Sequence, residues 1–224
     1  MPMFYNPGLF LQNERTFISG AGMTLLLGAL AVALSLACGL IGWMLKASKL
    51  DALRWLGNAY VESLRNTPTL LYVYLIYFGL AEVRVQVPPF TSAVLALGVQ
   101  GGAYVTEIIR GAFSAIREDQ RQAARALGFR PLKSLLYIEL PQMLRVAFPA
   151  LGNQVVSILL GTSVASVIAV PELTYQSQII GESTYQYFGV FGIDAILYIV
   201  IVQIVGVIWR SVERAWFAKW GTTV

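Results

Sequence analysis

The chain contains no histidine, so imidazole acid–base chemistry has no residue to carry it. Its single cysteine, Cys38, lies inside an apolar run. One cysteine builds no disulfide framework and no Cys/His metal cluster. Cys38 reads as a small buried apolar residue. Charge is scarce as well: 12% of the residues are charged, against about 25% in ordinary soluble domains. No glycine-rich loop ends in Gly-Lys-Ser or Gly-Lys-Thr, which excludes P-loop hydrolysis of ATP by this chain. No HExxH stretch is present, and serines near glycine, such as Ser163, have no histidine partner. No catalytic residue and no metal site are expected. The first 16 residues carry only Glu14 and Arg15 as charges. No basic cluster leads into an apolar core there, so a signal peptide is not expected.

What is abundant is apolar. Hydrophobic residues make up 57% of the sequence, and mean hydropathy is +0.65. These values point to a membrane protein. The net charge is +4, but the basic residues are segregated along the chain. That pattern fits membrane topology better than nucleic-acid binding.

The expected fold is all-α, with five transmembrane helices at about residues 18–43, 62–81, 89–110, 146–170 and 190–209, and a loop at 111–145. Residues 1–16 read as an interfacial lead-in, with Phe4, Tyr5, Leu9 and Phe10 along the headgroups. Gly20, Gly28, Ala33 and Ala37 would let the first helix pack closely. The span from Leu50 to Leu64 reads as an amphipathic helix with Leu53, Leu56, Tyr60 and Leu64 on one side. Asn66-Thr67-Pro68 then re-aims the chain, and the short apolar run after it needs the preceding turns to complete a span. Basic residues number 4 in loop 46–65, 7 in loop 110–145 and 3 after residue 209; loop 82–89 holds one and loop 171–189 none. With five crossings this places the N-terminus outside and the C-terminus inside. Asp194 would sit in the first turn of the last span, where a negative charge suits the helix dipole. Trp209, Arg210, Arg214, Trp216, Lys219 and Trp220 would anchor the far end.

Polar residues inside spans mark a solvated path or bundle packing. In the third span these are Gln100, Thr106 and Glu107; in the fourth they are Asn153, Gln154, Ser157, Thr162 and Ser163. Glu107 also lies within a turn of Arg110, so an interfacial ion pair accounts for it equally.

The most charged stretch runs from Arg117 to Pro149. A helix from Glu118 to Phe129 would place Ala123, Ala124 and Leu127 on one face. Gly128 and Arg130-Pro131 would end it, a second helix would follow from Leu132 to about Leu140, and Pro141 would stop that one. A solvated loop has no use for Ala-Ala, Leu-Gly-Phe and Leu-Leu-Tyr-Ile. Their apolar groups cover either a soluble partner or the protein's own helices.

Within this stretch stand Gln122-Ala123-Ala124, three residues, Gly128, nine residues, then Ile138-Glu139-Leu140-Pro141. This resembles the Glu-Ala-Ala loop of the membrane-spanning permease subunits of ATP-binding-cassette importers for polar amino acids. That family includes histidine, glutamate, glutamine, arginine and opine permeases of the type I import fold. Glu62 to Pro68, Gly102 to Gly111, Ala150 to Gln154 and Ser166 to Thr174 are also similar to it. Two departures stand out. Gln122 replaces the leading Glu and offers a hydrogen bond in place of a charge. Leu160-Gly161 stand where the family carries a Lys and a small polar residue.

The resemblance implies one permease domain over residues 1–224 in the cytoplasmic (inner) membrane. It implies ATPase coupling through Gln122, Ala123, Ala124, Leu127, Gly128, Phe129, Ile138, Leu140 and Pro141. It implies a second permease subunit, two ATPase subunits that bind ATP and Mg, and an external solute-binding protein. That protein would dock on the outer loop that carries Glu172, Tyr175, Glu182 and Tyr185. The solute would be a polar or charged amino acid moved by alternating access, and this chain would bind no cofactor. A small channel or secondary-carrier subunit, a membrane scaffold, and an importer of another small polar solute are the alternatives.

Overall fold

A computed structural model describes residues 8–116 and 118–218. The lead-in residues Phe4 and Tyr5, Arg117 at the start of the charged stretch, and Lys219 and Trp220 lie outside the described residues. The regular elements among the described residues are helices: α1 (Leu9–Gln12), α2 (Glu14–Lys46), α3 (Asp51–Arg65), α4 (Thr69–Glu82), α5 (Pro89–Ser114), α6 (Glu118–Ala126), α7 (Pro131–Ile168), α8 (Leu173–Thr184) and α9 (Tyr187–Ala218).

Four of these helices, α2, α5, α7 and α9, are long and apolar enough to cross a membrane. The expected count of five is therefore wrong. The expected span at 62–81 joined two separate helices. The backbone breaks between Arg65 and Thr69, and α4 is a shorter apolar helix. Its 14 residues rise only about 21 Å, short of a hydrocarbon core of about 30 Å. The assignment of the N-terminus outside and the C-terminus inside counted five crossings and falls with them.

The break is held by side chains from elsewhere. Gln100 Nε2 in α5 donates to the carbonyls of Leu64 at 3.2 Å and Thr67 at 3.0 Å. Tyr72 donates its hydroxyl to the Ser63 carbonyl at 2.8 Å, and the Thr67 hydroxyl donates to the same oxygen at 3.0 Å. Carbonyls at a helix end have no partner inside the helix, and an apolar setting makes that costly. These donors satisfy them.

The longest helix contact is between α2 and α5. Glycine makes it possible. A Cβ on Gly102 would lie 2.5 Å from Cys38 Cβ and 2.5 Å from the Tyr60 hydroxyl, and one on Gly39 would collide with Val105. Thr106 donates its buried hydroxyl to Gly39 O at 3.1 Å and Gly102 O at 2.9 Å. The buried stripe on α2 runs through Gly20, Leu27, Gly28, Ala31, Ser35 and Gly39. Gly20 and Gly28 fall on it as expected, whereas Ala33 and Ala37 are exposed. On α3 the buried residues are Gly57 and Val61, with Tyr60 half-buried, while Leu53 and Leu56 are exposed.

Pro141 does not end a helix. α7 is continuous from Pro131 to Ile168. A π turn at Leu135–Glu139 precedes the proline. A proline ring crowds the carbonyl four residues back and gives it no N–H. The wider turn makes room for the ring, so the helix carries on. Its last turns, Thr162–Ile168, tighten to 3-10 geometry, and Ala169 takes a left-handed conformation at φ 60°.

Candidate functional site

The segment between α5 and α7 folds as a short helix ended by a glycine. Gly128 has φ +78°, a region open to glycine and costly for other residues. Phe129 N donates to Ala124 O at 3.0 Å and Gly128 N donates to Arg125 O at 2.9 Å. This pair of bonds is the Schellman stop of a helix. It turns the chain so that Leu127, 77% exposed, stands at the tip. Gln122, Ala123 and Phe129 are also exposed, while Ala124 is buried. Ile138, Leu140 and Pro141 are half-buried within α7. Leu132, Leu136 and Tyr137 continue the exposed apolar surface at the start of that helix.

The polar residues expected to line a path do not meet in one cavity. Gln100 and Thr106 are buried and hold backbone carbonyls, as described above. Glu107 pairs with Lys46 at 2.6 Å and with Arg110 at 2.7 Å. Lys46 and Glu107 are less than one-fifth exposed, and the lysine relies on this glutamate as its counter-ion. Glu107→Gln should cost roughly 3 kcal/mol by leaving the lysine unpaired. Thermal unfolding in detergent measures this, and adding Lys46→Met should recover most of the loss. A glutamate that served only the path would change uptake and leave unfolding unmoved.

Thr162 is buried and donates to Leu159 O at 2.6 Å. Asn153 and Ser157 are exposed on α7 and Gln154 is half-buried. Asn153 lines a cleft between α7 and α9 with Trp209, Arg210 and Glu213. Ser163 lines a different cavity, of about 560 Å³, between α7, α8 and α9.

That second cavity contains the group that the sequence reading missed. α9 begins at Tyr187, so Asp194 lies two turns in, not in the first turn. It is 7% exposed, and among the described residues its buried Oδ1 has no hydrogen-bond partner. Thr174 places its hydroxyl 3.4 Å from Asp194 Oδ2 and 3.3 Å from the Tyr198 hydroxyl. Tyr198 donates to Glu172 Oε2 at 2.8 Å. The signal available beforehand was Asp194 and Tyr198 four apart in an apolar helix.

Of the residues expected to receive a solute-binding protein, Glu182 and Tyr185 are exposed and Tyr175 is half-buried. Glu172 is fully buried. It caps α8, accepting from Thr174 N at 2.9 Å and Tyr175 N at 2.7 Å. It offers no carboxylate to a soluble partner. Burial pushes its pKa up to about 7, against the hydrogen bonds from Thr174, Tyr198 and Tyr175, and the nearby Asp194 adds to the rise. The folded protein thus holds this proton more tightly than the unfolded chain. The resulting stability is complete below about pH 4.5 and is lost as pH rises through about 7. Thermal unfolding should therefore be higher at pH 5 than at pH 8, and Glu172→Gln should flatten that slope.

The short α6 helix and the α8 loop lie at opposite ends of α7. Its 38 residues span a contour of roughly 57 Å, enough to separate two faces of a membrane.

Residues 38–217 match the family described as binding-protein-dependent transport system inner membrane component. The chain is 32% identical over 196 residues to the probable glutamine ABC transporter permease protein GlnM of Bacillus subtilis (strain 168), covering 88% of this chain and 91% of that protein. It is 34% identical over 203 residues to the glutamine transport system permease protein GlnP of Escherichia coli (strain K12), covering 88% and 91%. Among solved structures, an amino acid ABC transporter described as crystallised with histidines superposes with a TM-score of 0.87 at 36% identity, over 92% of this chain and 96% of that one. The inward-facing MetNI methionine ABC transporter shares the fold, with a TM-score of 0.65 at 18% identity over 95% and 99%. The chain belongs to the inner membrane components of binding-protein-dependent transport systems, the permease subunits of ATP-binding-cassette importers.

Proposed function

We propose that this chain moves a polar or charged amino acid across the inner membrane, as one permease domain energised by ATPase subunits. The substrate class rests on the relatives' names, which specify glutamine, cystine and amino-acid transport. The observation that carries the mechanism is the glycine-stopped helix with Leu127 at its tip. An exposed apolar tip held by a rigid turn is suited to a cleft on a partner. Two such chains, identical or homologous, would each offer Gln122 to Phe129 to one ATPase subunit. Motion of that subunit would pass into α7, which begins at Pro131 and forms part of the bundle. Ile138, Leu140 and Pro141 lie at its entry.

The second permease subunit is supported by α7 itself. Asn153 and Ser157 are exposed on one side of the helix with Val146 and Leu160, at successive spacings of seven, four and three residues. An amide and a hydroxyl are poorly suited to lipid, so this side would face a path or another subunit. Gln154 and Ser163, half-buried on α7, would border that route, with Gln100, Thr106, Glu107 and Thr162 holding the helices around it. Glu182 and Tyr185, at the far end of α7 from the tip, would meet the solute-binding protein.

Co-purification and hydrolysis test this reading. The permease should retain an ATPase subunit in detergent, and a binding protein loaded with an amino acid should raise hydrolysis in reconstituted vesicles. Solute movement through vesicles with no ATPase associated would replace it with a channel or carrier.

A further inference from the structure

The cavity between α7, α8 and α9 has an unfinished wall. Asp194 lines it; Oδ2 of that carboxylate lies by the Thr174 hydroxyl, and Oδ1, closed off from water, has no donor among the described residues. Two side chains stand within reach of the Asp194 carboxylate: Thr174, whose hydroxyl lies by Oδ2, and Ser177. Ser177 donates its hydroxyl to Leu173 O at 2.8 Å, and Ser163 donates to Leu160 O at 2.8 Å. The Tyr198 hydroxyl proton goes to Glu172. Among the described residues, no lysine or arginine lines the cavity. A second carboxylate, Glu172, stands directly behind Tyr198. A carboxylate inside a membrane bundle is expensive to keep without a partner, and a buried oxygen without a donor adds to that cost. The cavity holds about 560 Å³, which is room for an amino-acid-sized solute. Leu160, Ile199 and Val202 give it apolar sides that suit an aliphatic stem.

We propose that this cavity is a subsite for a positively charged nitrogen, the ammonium or guanidinium group of a cationic amino acid, with Asp194 as its counter-ion. Thr174 and Gln203 supply polar edges beside that charge. The Asp194 carboxylate disfavours a solute of net negative charge, so glutamate-like solutes are excluded from it. This rests on the amino-acid importer reading, and its test is kept separate from ATP use.

The probe is a single cysteine at the cavity rim. Ala195 is exposed and borders Asp194, and the lone native thiol is removed by Cys38→Ala. Ala195→Cys in vesicles, with and without ATPase subunits, is treated with two methanethiosulfonates, one bearing trimethylammonium and one bearing sulfonate. Each rate is divided by the rate with a free thiol in solution. The cationic reagent should be favoured about tenfold through its local concentration near the carboxylate. Asp194→Asn should return the ratio to the free-thiol value. In the protein that keeps Asp194, arginine should slow labelling, while norvaline and glutamate should not. That arm needs no Asp194 variant and stands if Asp194→Asn fails to fold. Equal rates for the two reagents, or protection by norvaline equal to that by arginine, would overturn the proposal. Absence of ATP-stimulated uptake alongside selective labelling would instead count against the importer reading and leave the subsite standing.

Discussion

Leu127→Asp should abolish ATP-driven uptake while the permease remains folded and membrane-inserted. The side chain is 77% exposed, so it contributes little to the chain's own packing. The turn that presents it is held by backbone bonds from Gly128 and Phe129, which the substitution leaves in place. A central apolar anchor at an interface is worth about 2 kcal/mol or more, and about 1.4 kcal/mol is a factor of ten in affinity. A charge in its place also carries its own desolvation cost into the partner. Retention of ATPase subunits should fall at least tenfold, with thermal unfolding of the isolated permease unchanged. The neighbouring Ala124 would be a poorer test. It is 2% exposed, and a larger side chain there disturbs the permease as well as the contact. Full uptake by Leu127→Asp would remove the tip from the coupling mechanism.

Gly102→Val should have the largest effect on the fold itself. A Cβ at this position would meet Cys38 Cβ and the Tyr60 hydroxyl, each at 2.5 Å. Both neighbours are held. Cys38 belongs to the rigid α2, and Tyr60 donates to the Val99 carbonyl at 2.7 Å. Relief requires α2 and α5 to move apart, which also weakens the Thr106 bond to Gly39. Overpacking of this kind costs about 3 kcal/mol. Thermal unfolding in detergent should show a large drop and poor yield. Gly22→Ala is the matched control, because nothing lies within 4 Å of a Cβ there. It should leave unfolding within experimental scatter.

How much of this was legible beforehand depends on the range of the interaction. The long apolar runs gave α2, α5, α7 and α9, because the bilayer imposes a length that composition alone reports. The charged segment gave α6 and its glycine stop, since a positive φ at Gly128 is a local demand. The fifth span failed for a physical reason. Hydropathy was summed across Asn66 to Pro68, where the backbone breaks, and α4 alone is too short. Pro141 was misread because the π turn before it leaves no mark in composition. Gln100 was read as a path residue, yet it caps carbonyls at Leu64 and Thr67, more than 30 positions away. Lys46 and Glu107 are 61 positions apart, so their pairing was invisible. A last span starting at 190 puts Asp194 in its first turn as a dipole contact, whereas the helix begins at Tyr187 and buries that carboxylate two turns in.

Cross-linking from the tip tests the coupling account most directly. In a Cys38→Ala background, Leu127→Cys carries a photoactivatable maleimide, and the assembled transporter is illuminated with and without ATP. The account predicts one dominant cross-link, to the ATPase subunit, whose yield changes when ATP is bound. Cross-links confined to lipid or to the permease itself, in a preparation that still takes up amino acid on ATP, would contradict it.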